Sequence, residues 1–327
     1  VEILHILPGY PSSRDGGFSV PEQINGNKDL GTWHDIRSLS NHASIMADLI
    51  LNHSSIKGKW FNSFIKEKED YKNFFFTIDD NFDFSKVIRP RDHKLIQIYN
   101  YKKKNNKLWC TFSHDQIDLN FKDPLVLIEF IEIVLLLLSK GVTTFRLDAV
   151  AFIWKKNGTS CVNLPETHEI VKLLRLIVNY INPHALIVTE TNLPRKENLS
   201  YFGNNDEANW IYNFPLPPLI LYTFLFEDSS KISGWSKSMP PAQINNAYLN
   251  FIASHDGIGM RPAEGILENI ILDKLFKRVK KNGGKFSFRK VETKNKVYEV
   301  NITLFDALKQ TDFDKDGFFA VERYIAA

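Results

Sequence analysis

Three carboxylates in this sequence stand at or just beyond the ends of short apolar runs. Asp148 closes a run that begins at residue 143, Glu190 lies in the run 186–192, and Asp256 follows the run 248–254. In a barrel of parallel strands, side chains at the carboxyl ends of the strands meet in one pocket. Two carboxyl groups about 5 Å apart across a glycosidic bond permit retaining double displacement, in which one attacks and the other transfers a proton. The three residues therefore predict glycoside chemistry.

Other polar residues accompany these carboxylates. Arg146 stands two residues before Asp148, so both point to the same side of a strand, and its charge would keep Asp148 ionised as a nucleophile requires. An isolated pair of this kind is more often a solvated ion pair, and the further carboxylates at strand ends favour chemistry. The nearly all-apolar strand 45–51 contains Asp48, which we expect to be buried and paired, and it leads into His53. A lone histidine is more often structural than ligand-binding, but its place at a strand end makes His53 a candidate.

A loop rich in proline, glycine and serine follows the first strand at residues 8–18. It carries Asp15 and Phe18, a carboxylate and an aromatic ring in the kind of loop where a barrel holds its ligand contacts. The alternative is a plain turn in which Asp15 bonds its own backbone.

Strands and helices alternate along the chain. Asp123 and Pro124 start a helix as cap and first-turn proline, Gly141 ends it, and helical spacing recurs at 167–181. The strand candidates lie at 2–7, 45–51, 143–150, 186–192, 210–214 and 248–254. A closed barrel needs eight strands, so these six predict an α/β fold, an incomplete (β/α)8 TIM barrel.

Residues 54–122 are polar, aromatic and rich in turns. We expect a small insertion subdomain there, between barrel segments at 1–53 and 123–327, with a basic hairpin excursion at 274–302. Within the insertion, Arg89 and Arg91 could bind an anion such as phosphate, because guanidinium forks suit its oxygens. Solvation at the surface is the alternative for these two arginines.

Composition argues against several kinds of partner. The net charge of +3 is too small to indicate a polyanionic partner, and Glu292 and Glu299 interrupt the basic stretch, so we expect a solvated hairpin and no nucleic acid. The richest apolar stretch, 128–138, contains two glutamates and is too short to span a membrane. Cys110 and Cys161 are the only cysteines, which predicts a reducing, cytoplasmic compartment.

A run at 312–317 copies the first half of a calcium-binding loop. Its twelfth position, where a bidentate glutamate is needed, is Arg323, and Glu322 is one place early. We therefore expect no metal site and no cofactor.

Four ordered motifs resemble the signature regions of the α-amylase superfamily: 48–53 (DLILNH), 145–148 (FRLD), Glu190 and 254–256 (SHD). The resemblance narrows to the sucrose phosphorylase subfamily, which includes phosphorylases of sucrose, sucrose 6-phosphate, glucosylglycerol and glucosylglycerate. It is carried by the motifs at 15–20 (DGGFSV), 30–33 (LGTW), 158–161 (GTSC), 190–192 (ETN), 213–219 (NFPLPPL) and 253–260. It extends to about residue 308.

This resemblance implies a retaining glycoside phosphorylase. Asp148 would form a β-glucosyl ester, Glu190 would serve as general acid and then base, and Asp256 would bind ring hydroxyls and steady the transition state. The implied substrate-binding residues are His53, Arg146 and His255 as donors, Asp15 as an acceptor for the far hydroxyls, Phe18 as a stacking platform, and Gln116. Sucrose or a related α-glucoside would be the donor and inorganic phosphate the acceptor, giving α-glucose 1-phosphate.

The sequence departs from the family pattern in two ways. Pro21, Glu22 and Gln23 stand where the family has an apolar residue, Asp, and an aromatic residue or His. The chain also begins at the family's second barrel strand and stops after the seventh, so we expect a fragment whose open strand edges make it unstable or inactive alone.

Two other functions stay open. An α-glucosidase or transglucosylase would use the same three carboxylates with water or a sugar as acceptor, and would release its product without phosphate. An inactive sugar-binding remnant would bind glucosides without turnover.

Overall fold

The structure is a computed structural model that describes residues 2–7, 9–13, 17–24, 26–27, 29, 31–91, 93–101, 104–291, 294–309 and 318–327. The chain divides into two compact units, Val1–Thr191 with Tyr201–Trp210, and Asn192–Ser200 with Ile211–Ala327. Asp15 and the calcium-like run 312–317 lie outside the described residues.

The first unit alternates strands and helices. In chain order its elements are β1 (Ile3–Ile6), α1 (Trp33–Leu39), β2 (Ser44–Ile50), β3 (His53–Ser55), α2 (Lys59–Ile65), β4 (Ile96–Tyr101), β5 (Lys104–Trp109), β6 (Gln116–Asp118), α3 (Pro124–Ser139), β7 (Val142–Asp148), α4 (Pro165–Ile181) and β8 (Leu186–Thr189).

A parallel sheet holds the first unit together. Strands β1, β2, β7 and β8 are neighbours in that order, and each adjacent pair is parallel. Helices α1, α3 and α4 lie between these strands in the sequence, so the predicted βα repeat is present. Most of β2 is buried, as expected for a barrel strand that is covered on both faces. The carboxyl ends of β2, β7 and β8 therefore lie along one edge of the sheet.

Helix α3 begins and ends as its sequence predicts. The Asp123 side chain accepts a hydrogen bond from the backbone N–H of Leu125 at 3.1 Å, and Pro124 occupies the first turn. The helix ends at Ser139, two residues before Gly141, whose φ is +94°. Its buried side chains are Val126, Phe130, Ile133, Val134 and Leu137. In the part of the chain that the structure describes, no helix is long and apolar enough to cross a membrane.

The excursion at 54–122 is built from antiparallel pairs and aromatic contacts. Strand β3 pairs with β6, which places His53 opposite Asp118, and β4 pairs with β5. The rings of Phe61 and Phe64 each contact Phe75 edge-on, with centroids 5.5 and 5.3 Å apart. This excursion clusters within the first unit, and the boundaries of a separate insertion subdomain stay a prediction.

The second unit consists mainly of helices and a small antiparallel sheet. Its elements are α5 (Arg195–Leu199), β9 (Trp210–Tyr212, whose first residue belongs to the first unit), α6 (Leu216–Phe226), α7 (Ser230–Ser238), β10 (Ala247–Leu249), β11 (Ile258–Gly259), α8 (Asn269–Lys281), β12 (Lys285–Val291), β13 (Lys294–Asn301), α9 (Leu304–Ala307) and α10 (Phe318–Ala326). Within the predicted excursion at 274–302, residues up to Lys281 belong to α8, and the hairpin is formed by β12 and β13, which pair antiparallel with Phe286 opposite Val300.

The predicted strand at 248–254 is wrong over its second half. Strand β10 ends at Leu249, whose carbonyl accepts from the backbone N–H of Asn213 at 3.0 Å. The side-chain oxygen of the exposed Asn250 accepts a hydrogen bond from the side-chain amide of Asn213 at 2.8 Å. The ring of Phe251 packs against that of Phe214, with the ring centroids 5.4 Å apart. This aromatic contact and the side-chain hydrogen bond take the place of the strand pairing that the apolar residues predicted.

Gly58 is required by a close approach of two backbones. It precedes α2, and a Cβ at this position would lie 2.3 Å from the carbonyl oxygen of Pro21. We predict that Gly58→Ala destabilises the protein by about 1–3 kcal/mol, because the neighbouring backbone must move. Gly234→Ala in α7 is the matched control, since a Cβ there meets nothing within 4 Å. It should raise stability by about 0.5–1 kcal/mol in the same urea titration. Equal midpoints for the two variants would contradict the prediction.

Candidate active site

One arginine joins two aspartates at the end of the parallel sheet. Arg146 on β7 pairs in register with Asp48 on β2, and its Nη1 donates to Asp48 Oδ1 at 2.6 Å. The same nitrogen donates to Asp148 Oδ1 at 2.8 Å, since alternate residues of a strand point to one face. Arg146 therefore holds two carboxylates of neighbouring strands with a single nitrogen.

The two aspartates differ in their access to solvent. Asp48 is fully buried, whereas Asp148 keeps 9% of its surface exposed. Burial acts to raise the pKa of Asp48, but the contact with His5 Nε2 at 3.2 Å and the charge of Arg146 hold that pKa below its usual value. Asp48 is therefore the buried, paired carboxylate that the sequence predicts. Asp148 is the member of the pair that can reach a ligand.

Glu190 lies against the backbone that follows Asp148. Ala149 has a left-handed backbone with φ +48°, and its N–H donates to Glu190 Oε2 at 3.0 Å. The N–H of Glu190 in turn donates to the carbonyl of Leu147 at 3.1 Å. Residues 42 positions apart in the chain are thus brought together at the ends of β7 and β8. In this way the structure brings two of the three predicted carboxylates to the ends of adjoining strands.

An aromatic ring, an imidazole and an amide complete this group. The Arg146 guanidinium lies 5.7 Å from the centre of the Phe18 ring. His53 Nε2 lies 3.2 Å from the Phe18 carbonyl oxygen and 3.0 Å from Gln116 Nε2. We call the resulting set the strand-end cluster: Phe18, Asp48, His53, Gln116, Arg146, Asp148 and Glu190. Except for Asp48, its members are all among the predicted site residues.

Asp256 and His255 belong to the second unit. They lie on an exposed loop before β11, with His255 Nε2 3.3 Å from Asp256 Oδ2. Their convergence on the strand-end cluster stays a prediction, as does the role of Asp15, which falls outside the described residues.

Arg89 and Arg91 lie in the excursion, close to His93. Burial lowers the pKa of His93, and the positive charges of both arginines act in the same direction. His93 Nε2 contacts the carbonyl oxygen of Cys110 at 3.0 Å. Arg89 and Arg91 thus form a basic corner of the excursion beside His93, and anion binding there stays a prediction. Among the residues described, His, Cys, Asp and Glu form no group of three or more that could hold a metal ion.

Sequence reasoning missed a buried polar network that supports His53. Lys155 Nζ lies 2.6 Å from Asp118 Oδ2 and donates to Asn52 Oδ1 at 2.8 Å. The Asn52 amide donates to the same Asp118 oxygen at 3.0 Å and contacts His53 Nδ1 at 3.4 Å. Burial lowers the pKa of Lys155, and the charge of Asp118 opposes that shift. Lys155 stands seven residues beyond Asp148, and no periodicity or motif spacing indicates its partners.

Gln23 explains one departure from the family pattern. Its side chain donates to the carbonyl oxygen of Ile50 at 3.0 Å and accepts from the N–H of the same residue at 2.9 Å. Both bonds are buried at the end of β2, so the amide completes the backbone bonding of this strand. Gln23 therefore fixes the segment that follows Phe18 to the strand that carries Asp48.

The lowered pKa of Asp48 predicts a pH-dependent contribution to stability. An aspartate whose pKa is lower in the folded than in the unfolded protein stabilises the fold above its unfolded pKa of about 3.9, and this contribution disappears as the pH falls through the folded value. We expect Asp48→Asn to lower the free energy of unfolding by about 1.5–3 kcal/mol at pH 7, with the difference from wild type shrinking below about pH 4. Urea titrations between pH 7 and pH 2 measure it. A constant difference across this range, or an equal loss in the exposed variant Asp80→Asn, would refute the expectation.

Two neighbouring lysines provide a matched test of the Lys155 network. We predict that Lys155→Met lowers the free energy of unfolding by about 3–5 kcal/mol, because it leaves the buried Asp118 without its counter-charge. Lys156 pairs with Glu166 at 3.2 Å on the surface, and Lys156→Met should cost under about 1 kcal/mol. Urea midpoints that do not separate the two variants would show that Lys155 does not stabilise the fold.

Comparison with known proteins identifies the family of this chain. Residues 4–257 match the family model described as Alpha amylase, catalytic domain. The chain is 43% identical over 325 residues to glucosylglycerate phosphorylase of Allomeiothermus silvanus, covering 99% of this chain and 59% of that protein. It is 28% identical over 339 residues to sucrose phosphorylase of Agrobacterium vitis, covering 95% of this chain and 66% of that protein.

A solved structure shows the same fold. The crystal structure of sucrose 6F-phosphate phosphorylase from Thermoanaerobacter thermosaccharolyticum superposes with a TM-score of 0.84 at 25% identity, covering 98% of this chain and 66% of that one. The chain thus spans about three fifths to two thirds of the length of these relatives. The chain belongs to the α-amylase family, and its parallel sheet is part of that family's (β/α)8 barrel.

Proposed function

We propose that this chain carries the glucosyl-transfer centre of a retaining glycoside phosphorylase. The observation that carries the proposal is the pair of carboxylates at adjoining strand ends: Asp148 is bonded to Arg146, and Glu190 is bonded to the backbone N–H of Ala149, the residue after Asp148. One carboxylate beside a cation and a second one close by are what double displacement at a glycosidic carbon needs.

In the first step Asp148 attacks the anomeric carbon of an α-glucoside. The ion pair with Arg146 favours the ionised form of Asp148, which is the nucleophilic form. Glu190 gives its proton to the departing glycosidic oxygen, so the leaving group departs as a neutral alcohol at that atom. The bond from the anomeric carbon to this oxygen breaks as the bond to Asp148 forms, leaving a β-glucosyl ester.

In the second step inorganic phosphate replaces the leaving group. A phosphate oxygen attacks the anomeric carbon from the opposite face, the ester bond to Asp148 breaks, and Glu190 recovers a proton from the attacking phosphate. Two inversions give α-glucose 1-phosphate. We assign the phosphate contact to Arg89 and Arg91, whose guanidinium groups suit an anion.

The remaining residues hold the glucosyl unit. Phe18 supplies an apolar face for the sugar ring, and His53, Gln116 and Arg146 supply hydrogen-bond donors around it. The family resemblance assigns further contacts with the sugar to Asp15, His255 and Asp256, with Asp256 steadying the charge that develops on the ring. These roles follow the family resemblance, and the neighbouring positions of Phe18, His53, Gln116 and Arg146 support the first four.

Among the glucosyl donors that the relatives' names give, glucosylglycerate is the best supported. The identity to glucosylglycerate phosphorylase is 43%, against 28% to sucrose phosphorylase, so the sequence-based expectation of sucrose narrows to a glucoside of glycerate. Its glycerate part carries a carboxylate, which the basic corner around Arg89 and Arg91 would also accommodate.

Both cysteines are free and buried, in keeping with a cytoplasmic protein.

A phosphate-dependent assay tests the proposal. We expect α-glucose 1-phosphate from glucosylglycerate and inorganic phosphate, and little turnover of sucrose. Asp148→Asn should lower the rate at least about 10⁴-fold while its circular dichroism and urea midpoint stay near wild type, since the amide cannot form the ester. Glucose release that does not depend on phosphate would instead identify an α-glucosidase. Glucoside binding without turnover in the intact native protein would identify a sugar-binding protein and overturn the proposal.

A further inference from the structure

A buried carboxylate outside the strand-end cluster gathers three serine hydroxyls. Asp115 precedes β6 and is 3% exposed. Its Oδ2 accepts from Ser13 Oγ and from Ser19 Oγ, each at 3.0 Å, and its Oδ1 accepts from Ser113 Oγ at 3.0 Å. Since a carboxylate only accepts and a hydroxyl can donate, one side chain satisfies donors from separate parts of the chain.

Two of these serines flank the segment that carries Phe18. The N–H of Ser13 also donates to the carbonyl oxygen of Ser19 at 2.9 Å, and the hydroxyls of Ser13 and Ser55 lie 2.7 Å apart. The two ends of the segment 13–19 therefore meet at a single oxygen of Asp115. We call this arrangement, formed by Asp115, Ser13 and Ser19, the serine clamp.

Hydrogen bonds from three serines favour the charged form of Asp115. Burial acts to raise the pKa of Asp115, yet the hydrogen bonds from Ser19, Ser13 and Ser113 hold it below its usual value. Asp115 is therefore ionised at neutral pH, and its bonds to the serines are charge-assisted. An apolar side chain of similar size could fill the space but could not join the two ends of the segment.

The clamp acts next to two members of the strand-end cluster. Ser19 directly follows Phe18, whose carbonyl oxygen contacts His53 and whose ring faces Arg146. Asp115 directly precedes Gln116, which contacts the same His53 nitrogen. The adjacent residues Asp115 and Gln116 thus hold the Phe18 segment and His53 respectively.

We propose that Asp115 is a positioning residue that fixes the Phe18 ring in place through Ser13 and Ser19, and so sets the affinity for the glucosyl unit. This inference rests on the proposed function only for the identity of the ligand. Asp115 touches no reacting atom, so losing the clamp should weaken donor binding more than it slows turnover.

Ser19→Ala and Ser113→Ala form a matched pair, because each removes one hydroxyl bond to Asp115 and only Ser19 belongs to the clamp. We expect Ser19→Ala to raise the KM for the glucoside about tenfold with kcat within about twofold of wild type, and Ser113→Ala to leave both within about twofold. Equal KM values for the two variants would overturn the inference.

A double-mutant cycle with Phe18→Ala tests the route of the effect. If the clamp acts through the ring, Ser19→Ala should have little further effect on glucoside affinity once Phe18 is gone, and calorimetric titration with the glucoside measures this without turnover. Fully additive losses would show that Asp115 acts elsewhere.

Hydrogen exchange separates the inference from the proposed function. Ser19→Ala and Asp115→Ala should each speed exchange of the backbone N–H groups at 17–20 at least about tenfold, while Ser113→Ala should leave it near wild type, whether or not the protein is a phosphorylase. Unchanged exchange in Ser19→Ala would defeat the clamp even in an active enzyme. Faster exchange in a protein that shows no phosphorolysis would support the clamp and defeat only the proposed function.

Discussion

The two bonds from Arg146 to Asp48 and Asp148 are the interaction on which the rest of the site depends. Two carboxylates on neighbouring strands would repel each other, and Asp48 has no exposed surface over which water could reduce that cost. Compared with apolar side chains of the same volume, a buried ion pair of this kind adds little net stability, although removal of one partner is costly. Its effect here is to fix an arrangement, in which a fully buried aspartate holds the arginine and the arginine holds the aspartate that remains open to a ligand.

The residues around this pair are held by polar contacts made far along the chain. The segment 111–118 supplies two buried carboxylates that make such contacts. Asp115 binds the serines on either side of Phe18. Asp118 binds Lys155 and Asn52, next to His53. Each of these carboxylates is buried and each is satisfied by several donors, the condition under which a buried charge is tolerated. The excursion after β2 therefore holds the segments that carry Phe18 and His53. It fixes the loops at the end of the sheet.

Local sequence was sufficient for the parts of the structure that depend on local physics. Helix α3 followed from Asp123, Pro124 and apolar spacing, and the common side of Arg146 and Asp148 followed from strand alternation. The roles of Lys155 and Asp115 could not be predicted in this way. Each depends on contacts with residues from about 40 to about 100 positions away, which no spacing rule connects. The early end of β10 has a similar cause, since Asn250 and Phe251 contact Asn213 and Phe214, which follow β9.

The distribution of charge also indicates where substrate choice must lie. In the mechanism we propose, attack by Asp148 and proton transfer by Glu190 would suit any α-glucoside, because both would act on the anomeric carbon and its oxygen and not on the rest of the leaving group. Relatives that bear different substrate names match this same stretch of chain, as expected if the strand-end cluster serves the step they share. Discrimination between water and phosphate, or between one leaving group and another, has to come from groups that recognise an anion or an alcohol at a distance from the anomeric carbon. In the first unit, Arg89 and Arg91 have the charge for that task, whereas Arg146 at the end of the sheet already binds two carboxylates.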